Sequence, residues 1–255
     1  MTSAVGGLLR EWRQRRRISQ LGLSLDAGIS ARHLSFLETG RSQPSREMVV
    51  LLAEQLEVPL RDRNALLLAA GYAPFYRERG LEDPDLAAIR AAVQRILTGH
   101  EPFPAVAVDG HWNLVAANAG VAPLLAGADA ALLAPPVNVL RLSLHPSGLA
   151  PRIANLAQWR EHLLARLGRQ IAESGDPVLD SLRQELQSYP EEGGEVIDDG
   201  LASLAVPLRL RTDRGLLSFI STSMVFGAPR DIGIAELAIE AFLPADEATA
   251  RALRE

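Results

Sequence analysis

The sequence contains no cysteine and no lysine. The absence of cysteine excludes disulfide bonds, thiol catalysis and cysteine-ligated zinc or iron–sulfur sites, and it fits the reducing cytoplasm in which we expect the protein to work. All 26 basic residues are therefore arginine. Without lysine, the phosphate-binding loop that requires one is also excluded.

Long apolar runs and an export signal are also missing. The most apolar stretch, residues 114–140, is interrupted by three prolines, two asparagines and an aspartate, which a bilayer core would penalise. Within residues 1–30, four arginines lie between positions 13 and 17, where a secretory signal would need an apolar centre. We therefore expect no membrane span and no export.

Length and charge point to two domains of different character. A chain of 255 residues exceeds the usual single-domain size of about 100–200 residues. Residues 1–72 carry 10 arginines against 7 acidic side chains, whereas residues 73–255 carry 16 against 24. A basic first quarter on an acidic body predicts that a polyanionic partner binds the N-terminal domain.

The first 72 residues show helical spacing and no alternation of the kind that strands show. Leu8, Leu9 and Trp12 recur on one face of a helix over 5–16. Ser19 and Ser30 each stand where a side chain caps the following helix, and Gly28 ends the helix between them. This pattern predicts five short helices.

One segment is specific in both spacing and residue type. It reads Ser19-Gln20-x-x-Leu23-x-x-x-Ala27-Gly28-Ile29-Ser30, followed by Leu34, Leu37-Glu38-x-Gly40-Arg41 and Pro44-Ser45. This pattern resembles the Xre-type, lambda-repressor-like helix-turn-helix family, and the similarity continues to about Tyr72. The resemblance implies an all-α, five-helix DNA-binding domain over 1–73.

The resemblance also implies which side chains contact a double-stranded DNA operator. Gln20 would touch the phosphate backbone, and the helix after Ser30 would enter the major groove. There, Arg32 could donate two hydrogen bonds to guanine, worth about 1–3 kcal/mol of discrimination. The predicted DNA-contacting residues are Arg17, Gln20, Ser30, Ala31, Arg32, His33, Ser35, Phe36, Thr39 and Arg41.

Each of these residues also has a structural interpretation. Ser30 could serve only as a cap, Phe36 could pack in the core, and Arg17 could be a solvated charge. Leu21 and Leu25 depart from the family pattern because charged residues are usual at their positions. They could form a surface patch, a dimer contact or a contact with the second domain, and the sequence does not choose among these.

The rest of the chain predicts a linker over 74–84 and an α+β domain over 85–255. Helices are expected over 85–98, 118–125, 151–173 and 177–187, and an Asp109-Gly110 turn indicates a hairpin. Alternation predicts three later strands, over 204–211, 216–226 and 235–243, for a five-stranded antiparallel sheet with helices on one face. The order of strand, turn, strand and Asn-led helix resembles the start of a PAS domain.

Nearly the whole chain resembles the MmyB-like regulators. The similarity is carried by the helix-turn-helix segment and by five later segments, namely Arg61 to Pro74, His100 to Pro104, Trp112 to Asn118, 226–231 and 236–246. The resemblance implies a transcription regulator with a PAS-like C-terminal domain that binds a ligand. A non-covalent, fatty-acid-like molecule is the leading candidate, and no cofactor is implied.

Only apolar alternation suggests which residues line a pocket. The predicted lining residues are Val106, Val108, Leu114, Trp159, Leu163, Phe219 and Met224. Ordinary core packing would use the same residue types.

Catalytic and metal motifs are absent. The five histidines do not have the spacing that places two metal ligands on one helical face, and no nucleophile-elbow or dinucleotide-binding pattern occurs. The acidic pairs Glu191-Glu192, Asp198-Asp199 and Glu236 with Glu240 fit solvated faces better than acid–base chemistry. We therefore expect a regulator that is not an enzyme.

The sequence favours a homodimeric, DNA-binding regulator that senses a small apolar effector. The alternative is a C-terminal domain that binds no ligand and serves only for dimerisation or protein interaction on the same regulator.

Overall fold

The chain divides into two units in the computed structural model, which describes residues 4–190 and 205–254. The first unit comprises residues up to Glu78 together with 172–174 and 228–235, and the second comprises the remaining residues from Arg79 onward. The division falls inside the predicted linker of 74–84, whose role as a linker stays a prediction.

The N-terminal part of the first unit, up to Glu78, contains five helices, as predicted. They are α1 (Ala4–Arg15), α2 (Gln20–Asp26), α3 (Ala31–Thr39), α4 (Arg46–Gln55) and α5 (Leu60–Ala69). Ser19, Ser30 and Ser45 cap the second, third and fourth of these, because each hydroxyl accepts a backbone N–H of the first turn. Leu9, Leu23, Leu34, Leu37 and Leu52 are fully buried in its core.

The first residues of the predicted linker are attached to α5. The Asn64 side-chain oxygen accepts the backbone N–H groups of Phe75 and Tyr76 at 2.9 and 3.0 Å, and its Nδ2 donates to the Tyr76 carbonyl at 2.7 Å. Arg61 adds an ion pair to Glu78 at 2.6 Å. Residues 75–78 thus extend the helical unit.

A five-stranded antiparallel sheet with helices forms the second unit. The strands are β1 (Ala105–Val108), β2 (Leu114–Ala117), β3 (Leu208–Thr212), β4 (Gly215–Val225) and β5 (Ala238–Pro244), in the order β2-β1-β5-β4-β3. Its helices are α6 (Ala87–Gly99), α7 (Val139–Leu144), α8 (Leu156–Ser174), α9 (Pro177–Ser188) and α11 (Glu247–Arg254). The helix α10 (Ile232–Ala235) and the last residues of α8 belong to the first unit.

Helices cover both faces of the sheet, so the prediction of helices on one face is wrong. Val106 and Val108 of β1 pack in a cluster with Trp159 and Leu163 of α8. Ala105 and Ala107 of the same strand pack in a second cluster with α6. Because successive strand residues point to opposite faces, β1 is buried on both.

Three predicted boundaries shift for identifiable reasons. The Asn118 side chain accepts the Ala105 N–H and donates to two carbonyls, so the expected helix after it is only a 3-10 turn, Ala122–Leu125. Ala154 donates its N–H to Arg209 of β3, which delays the start of α8 to Leu156. Asp231 accepts the Ala235 N–H in α10, so β5 starts only at Ala238.

The third strand is shorter than predicted. It begins at Leu208, and Leu204, where the predicted strand starts, lies outside the described residues. No helix within 4–190 and 205–254 is long and apolar enough to cross a membrane.

Candidate DNA-binding helix and ligand cavity

The helix α3 presents one buried and one open face. Ser30 caps its start by accepting the His33 N–H at 3.1 Å, and Gly40 ends it with φ at 75°, a left-handed conformation that glycine adopts without strain. Leu34 and Leu37 point into the core, which turns Ala31 and Arg32 toward solvent. A capped helix with an open first turn can enter a major groove.

The predicted DNA-contacting residues divide by exposure. Six are exposed, namely Arg17, Ser30, Ala31, Arg32, Thr39 and Arg41. Four are half-buried, namely Gln20, His33, Ser35 and Phe36. Ser30 is a cap as well as an exposed side chain, and Thr39 donates its hydroxyl to the Ser35 carbonyl at 2.7 Å. Their contacts with DNA stay predictions.

The Phe36 ring lies between two arginines. The guanidinium carbons of Arg32 and Arg41 lie 5.3 and 5.8 Å from its ring centroid, within the range of a cation–π contact. Phe36 is not part of the buried core cluster of the first unit. It therefore orients two cations at the open face rather than filling the core.

The three predicted DNA-contacting arginines lack, among the described residues, the acidic partner that other arginines of the first unit have. Arg17, Arg32 and Arg41 are exposed and make no ion pair with any described residue. Arg15, in contrast, pairs with Glu11 at 3.2 Å, and Arg63 pairs with Glu54 at 3.6 Å. Uncompensated positive charge beside an open helix attracts a polyanion.

A buried ion pair joins α1 to α3 beneath this surface. Arg13 donates to both carboxylate oxygens of Glu38 at 2.6 and 2.9 Å and to the Ile18 carbonyl at 2.9 Å. Gln20 donates its Nε2 to Glu38 at 2.8 Å, so the residue predicted to touch phosphate also binds this carboxylate. The Arg13 and Glu38 side chains are only 11% and 2% exposed.

This network changes the ionisation of its members. Burial of the Glu38 carboxyl raises its pKa, but the hydrogen bonds from Arg13 and Gln20 outweigh that effect, so the pKa lies below the ordinary value of 4.5. The hydrogen bond to Glu38 raises the pKa of Arg13. This pair was not predicted from the sequence, although each residue lies one helical turn after a buried leucine, Leu9 or Leu34, and therefore on an inward face.

The second unit contains a cavity of about 110 Å³. Its walls are mostly aliphatic and aromatic, with polar side chains contributed by two serines, an arginine and a glutamate. The lining residues are Pro104, Val106, Trp112, Leu114, Val121, Leu124, Leu125, Val139, Leu140, Leu142, Ser143, Leu149, Trp159, Leu163, Arg166, Leu208, Ser221, Glu240 and Phe242.

Four of the seven predicted pocket residues line this cavity, namely Val106, Leu114, Trp159 and Leu163. The other three do not contribute to its wall. Val108 and Phe219 are buried in the adjoining core, where the Phe219 ring packs edge-on against Phe242 with centroids 6.4 Å apart.

Met224 is displaced from the cavity because of strand parity. On β4, Phe219 and Ser221 share one face, whereas Met224, an odd number of residues away from both, points to the other. It pairs with Ile239, which packs on the α6 side, and it is 39% exposed. Its assignment to the pocket is corrected accordingly.

An ion pair forms part of the cavity wall. Arg166 of α8 donates to both carboxylate oxygens of Glu240 on β5 at 2.8 and 2.6 Å and to the Ser223 hydroxyl at 2.8 Å. Its guanidinium lies 4.5 Å from the Trp112 ring centroid. Glu240, which the sequence analysis placed among solvated acids, is therefore a buried partner of Arg166. Glu191, Glu192, Asp198 and Asp199 lie outside the described residues.

Two tryptophans hold the wall in place. Trp159 donates its indole N–H to the Ser143 hydroxyl at 3.0 Å and stacks on His162, whose pKa is lowered by burial and by the nearby Arg166 and Arg169. Trp112 donates to Gln170 at 2.9 Å and has φ at 67°, an uncommon backbone conformation for a bulky residue. Strained backbone conformations of this kind cluster at ligand-binding sites, active sites and switch regions.

Comparison with known families agrees with this arrangement. A family model for helix-turn-helix domains matches residues 9–62, and a model described as MmyB-like transcription regulator ligand binding domain matches residues 89–255. The protein is a DNA-binding transcription regulator with a C-terminal ligand-binding domain. Because the second match covers more than half of the chain, the chain belongs to the MmyB-like transcription regulators.

The comparison confirms the predicted family, and the structure confirms the helical domain followed by a domain with a five-stranded antiparallel sheet. Both matched families are regulatory rather than enzymatic. A search of curated proteins found no match.

Proposed function

We propose that this regulator binds a specific operator by placing α3 in the major groove, with Arg32 reading a guanine. The observation that carries the proposal is the exposed, unpaired state of Arg32 at the open first turn of a capped helix. Arg17, Thr39 and Arg41 would position the helix through phosphate contacts. Such a regulator would work in the cytoplasm, and a homodimer on two half-sites is the arrangement we favour.

We further propose that the second unit senses a small apolar effector in its cavity. Mostly apolar walls with a few convergent polar groups are what ligand sites require. Of the fatty acid that the resemblance implies, only the hydrocarbon chain is complementary to these apolar walls. The cavity argues against the alternative of a solidly packed interaction module, and the PAS-like description of the domain remains part of this proposal.

Chain connectivity offers a route from ligand to DNA. Residues 228–235 join β4 to β5, the strands that carry Ser221 and Glu240 of the cavity wall, yet they belong to the helical unit. Within that unit, Ile232 donates its N–H to the Arg77 carbonyl at 2.8 Å. A ligand that shifts these strands would therefore shift DNA affinity if it binds the two resulting states unequally.

Arg32→Ala is expected to abolish discrimination at one base pair of each half-site, at a cost of about 1–3 kcal/mol for the preferred base. The operator is first selected from random duplexes with the full-length protein, and single-base variants are then titrated at fixed salt. Arg41→Ala should instead weaken binding to all DNA sequences alike. It should also lower the slope of log K against log salt concentration by about one. It is a cleaner phosphate test than Gln20→Ala, which also removes a hydrogen bond to Glu38.

Arg95→Ala is the matched control, because it removes the same charge from an exposed position on α6. It should leave both affinity and discrimination close to those of the unaltered protein. Full discrimination retained by Arg32→Ala at every operator position would contradict the assignment of Arg32.

A further inference from the structure

The groups that face the cavity leave it without net charge. Arg166 and Glu240 are the charged members of its described wall, and they neutralise each other through two hydrogen bonds of 2.8 and 2.6 Å. His162 stacks on Trp159, and burial lowers its pKa, which favours the neutral ring. A ligand inside the cavity therefore meets no uncompensated charge from the part of the wall that the structure describes.

A carboxylate is poorly suited to this environment. The Glu240 side chain is only 4% exposed, and both of its oxygens are bonded to Arg166. An anionic ligand could reach the guanidinium only by displacing Glu240, which would leave that buried carboxylate unpaired, or by lying beside it. Either arrangement disfavours an anion.

Uncharged hydrogen-bonding groups, in contrast, have partners available. The Ser221 hydroxyl lines the cavity and makes no hydrogen bond to another described residue. The Ser143 hydroxyl accepts the Trp159 indole N–H, so its own proton can still be donated. A ligand with one hydroxyl, carbonyl or amide group could bind either serine.

The size of the cavity sets a further limit. Its volume of about 110 Å³ is of the same order as an engineered apolar cavity of about 150 Å³ that binds benzene. A long hydrocarbon chain has several times the volume of benzene and would have to extend beyond this cavity.

We propose that the effector is a small uncharged molecule, mostly apolar with one hydrogen-bonding group, and that the Arg166–Glu240 pair excludes carboxylates. This inference rests on the proposed ligand-sensing function and specifies its ligand class.

The test compares alcohols with the matching acids on the full-length protein at pH 7.5. Benzyl alcohol and benzoate form one pair, dodecanol and dodecanoate a second, and binding is measured by calorimetry and by the shift in Tm. We expect benzyl alcohol to bind at least about tenfold more tightly than benzoate, since placing like charges together weakens binding by an order of magnitude or more.

Substitutions in the cavity wall test the role of the Glu240 charge and of the Ser221 hydroxyl separately. Glu240→Gln removes the competing carboxylate and should raise benzoate affinity at least about tenfold. Ser221→Ala should weaken benzyl alcohol, whereas Thr222→Ala, an exposed neighbour on the opposite face of β4, should not. If Glu240→Gln does not fold, the comparison of alcohol with acid on the unaltered protein is sufficient to decide.

The outcomes distinguish this inference from the proposed function. Carboxylates that bind the unaltered protein as tightly as the alcohols would overturn the uncharged-ligand inference and leave ligand sensing intact. The same holds for a Glu240→Gln variant that folds without gaining benzoate affinity. No binding by any of the four compounds would overturn both proposals.

Discussion

Replacing Glu38 with glutamine is expected to lower the free energy of unfolding of the helical unit by about 3–5 kcal/mol. The substitution leaves the Arg13 guanidinium, 11% exposed, without its anionic partner, and breaking one side of a buried pair has a cost of this order. Because a small unit is only marginally stable, most DNA binding at 37 °C should be lost as well. Urea unfolding monitored by circular dichroism measures the change.

The control for this prediction is Glu11→Gln. It removes the same charge from an ion pair on α1 in which the glutamate is 62% exposed, and it should change the stability by no more than about 0.5 kcal/mol. Equal effects of the two substitutions would show that the buried pair does not stabilise the unit.

The same network predicts a dependence on pH. Because the Glu38 pKa in the folded state lies below its ordinary value of 4.5, its stabilising contribution is fully present above pH 4.5 and is lost as the pH falls through the lowered value. Glu38→Gln should therefore flatten the acid limb of the stability profile.

The second large effect is expected for Gly6→Ala in α1. A Cβ at this position would lie 2.4 Å from the Leu37 carbonyl oxygen and 2.8 Å from that of Glu38, so α1 and α3 would have to separate. Backbone atoms cannot move aside as a side-chain end can, and we expect a loss of about 2–3 kcal/mol despite the higher helix propensity of alanine. Operator affinity should fall with it, because α3 is the displaced helix.

Gly7→Ala provides a control at the next position of the same helix. Its Cβ would meet nothing within 4 Å, so only helix propensity changes, and the unit should gain up to about 1 kcal/mol. Thermal unfolding of the two variants should thus move in opposite directions. A Gly6→Ala protein as stable as the Gly7→Ala protein would contradict the close approach of α1 to α3.

Local chemistry made much of the fold predictable. Ser19, Ser30 and Gly28 determine helix ends through interactions within a few residues, and the spacing of Leu34 and Leu37 determines which face of α3 is buried. Regular alternation predicted the three later strands, and the Asp109-Gly110 turn predicted the first hairpin, for the same reason. Helix ends that depend on distant partners were misplaced, as where Asn118 binds β1 and Ala154 binds β3.

The candidate site was less accessible to prediction from sequence. A motif names the residues of α3, but the Arg13–Glu38 pair joins positions 25 residues apart, and the Arg166–Glu240 pair joins positions 74 apart. Apolar residues of core and cavity have the same chemistry, so only the packed structure separates Leu163 in the wall from Phe219 behind it. The prediction that Met224 and Phe219 both line the pocket is wrong because the two residues lie an odd number of positions apart on β4 and point to opposite faces.

The most direct test of the central claim, a regulator whose DNA affinity depends on a ligand in its second unit, is an operator titration at fixed salt. The full-length protein is titrated with and without a saturating amount of whichever test compound binds. Coupling between the sites predicts that the operator Kd changes by about 5-fold to 150-fold. The cavity-filling variant Leu163→Phe should abolish the change while binding the operator as the free protein does. An operator Kd that is identical with and without bound ligand would contradict the claim.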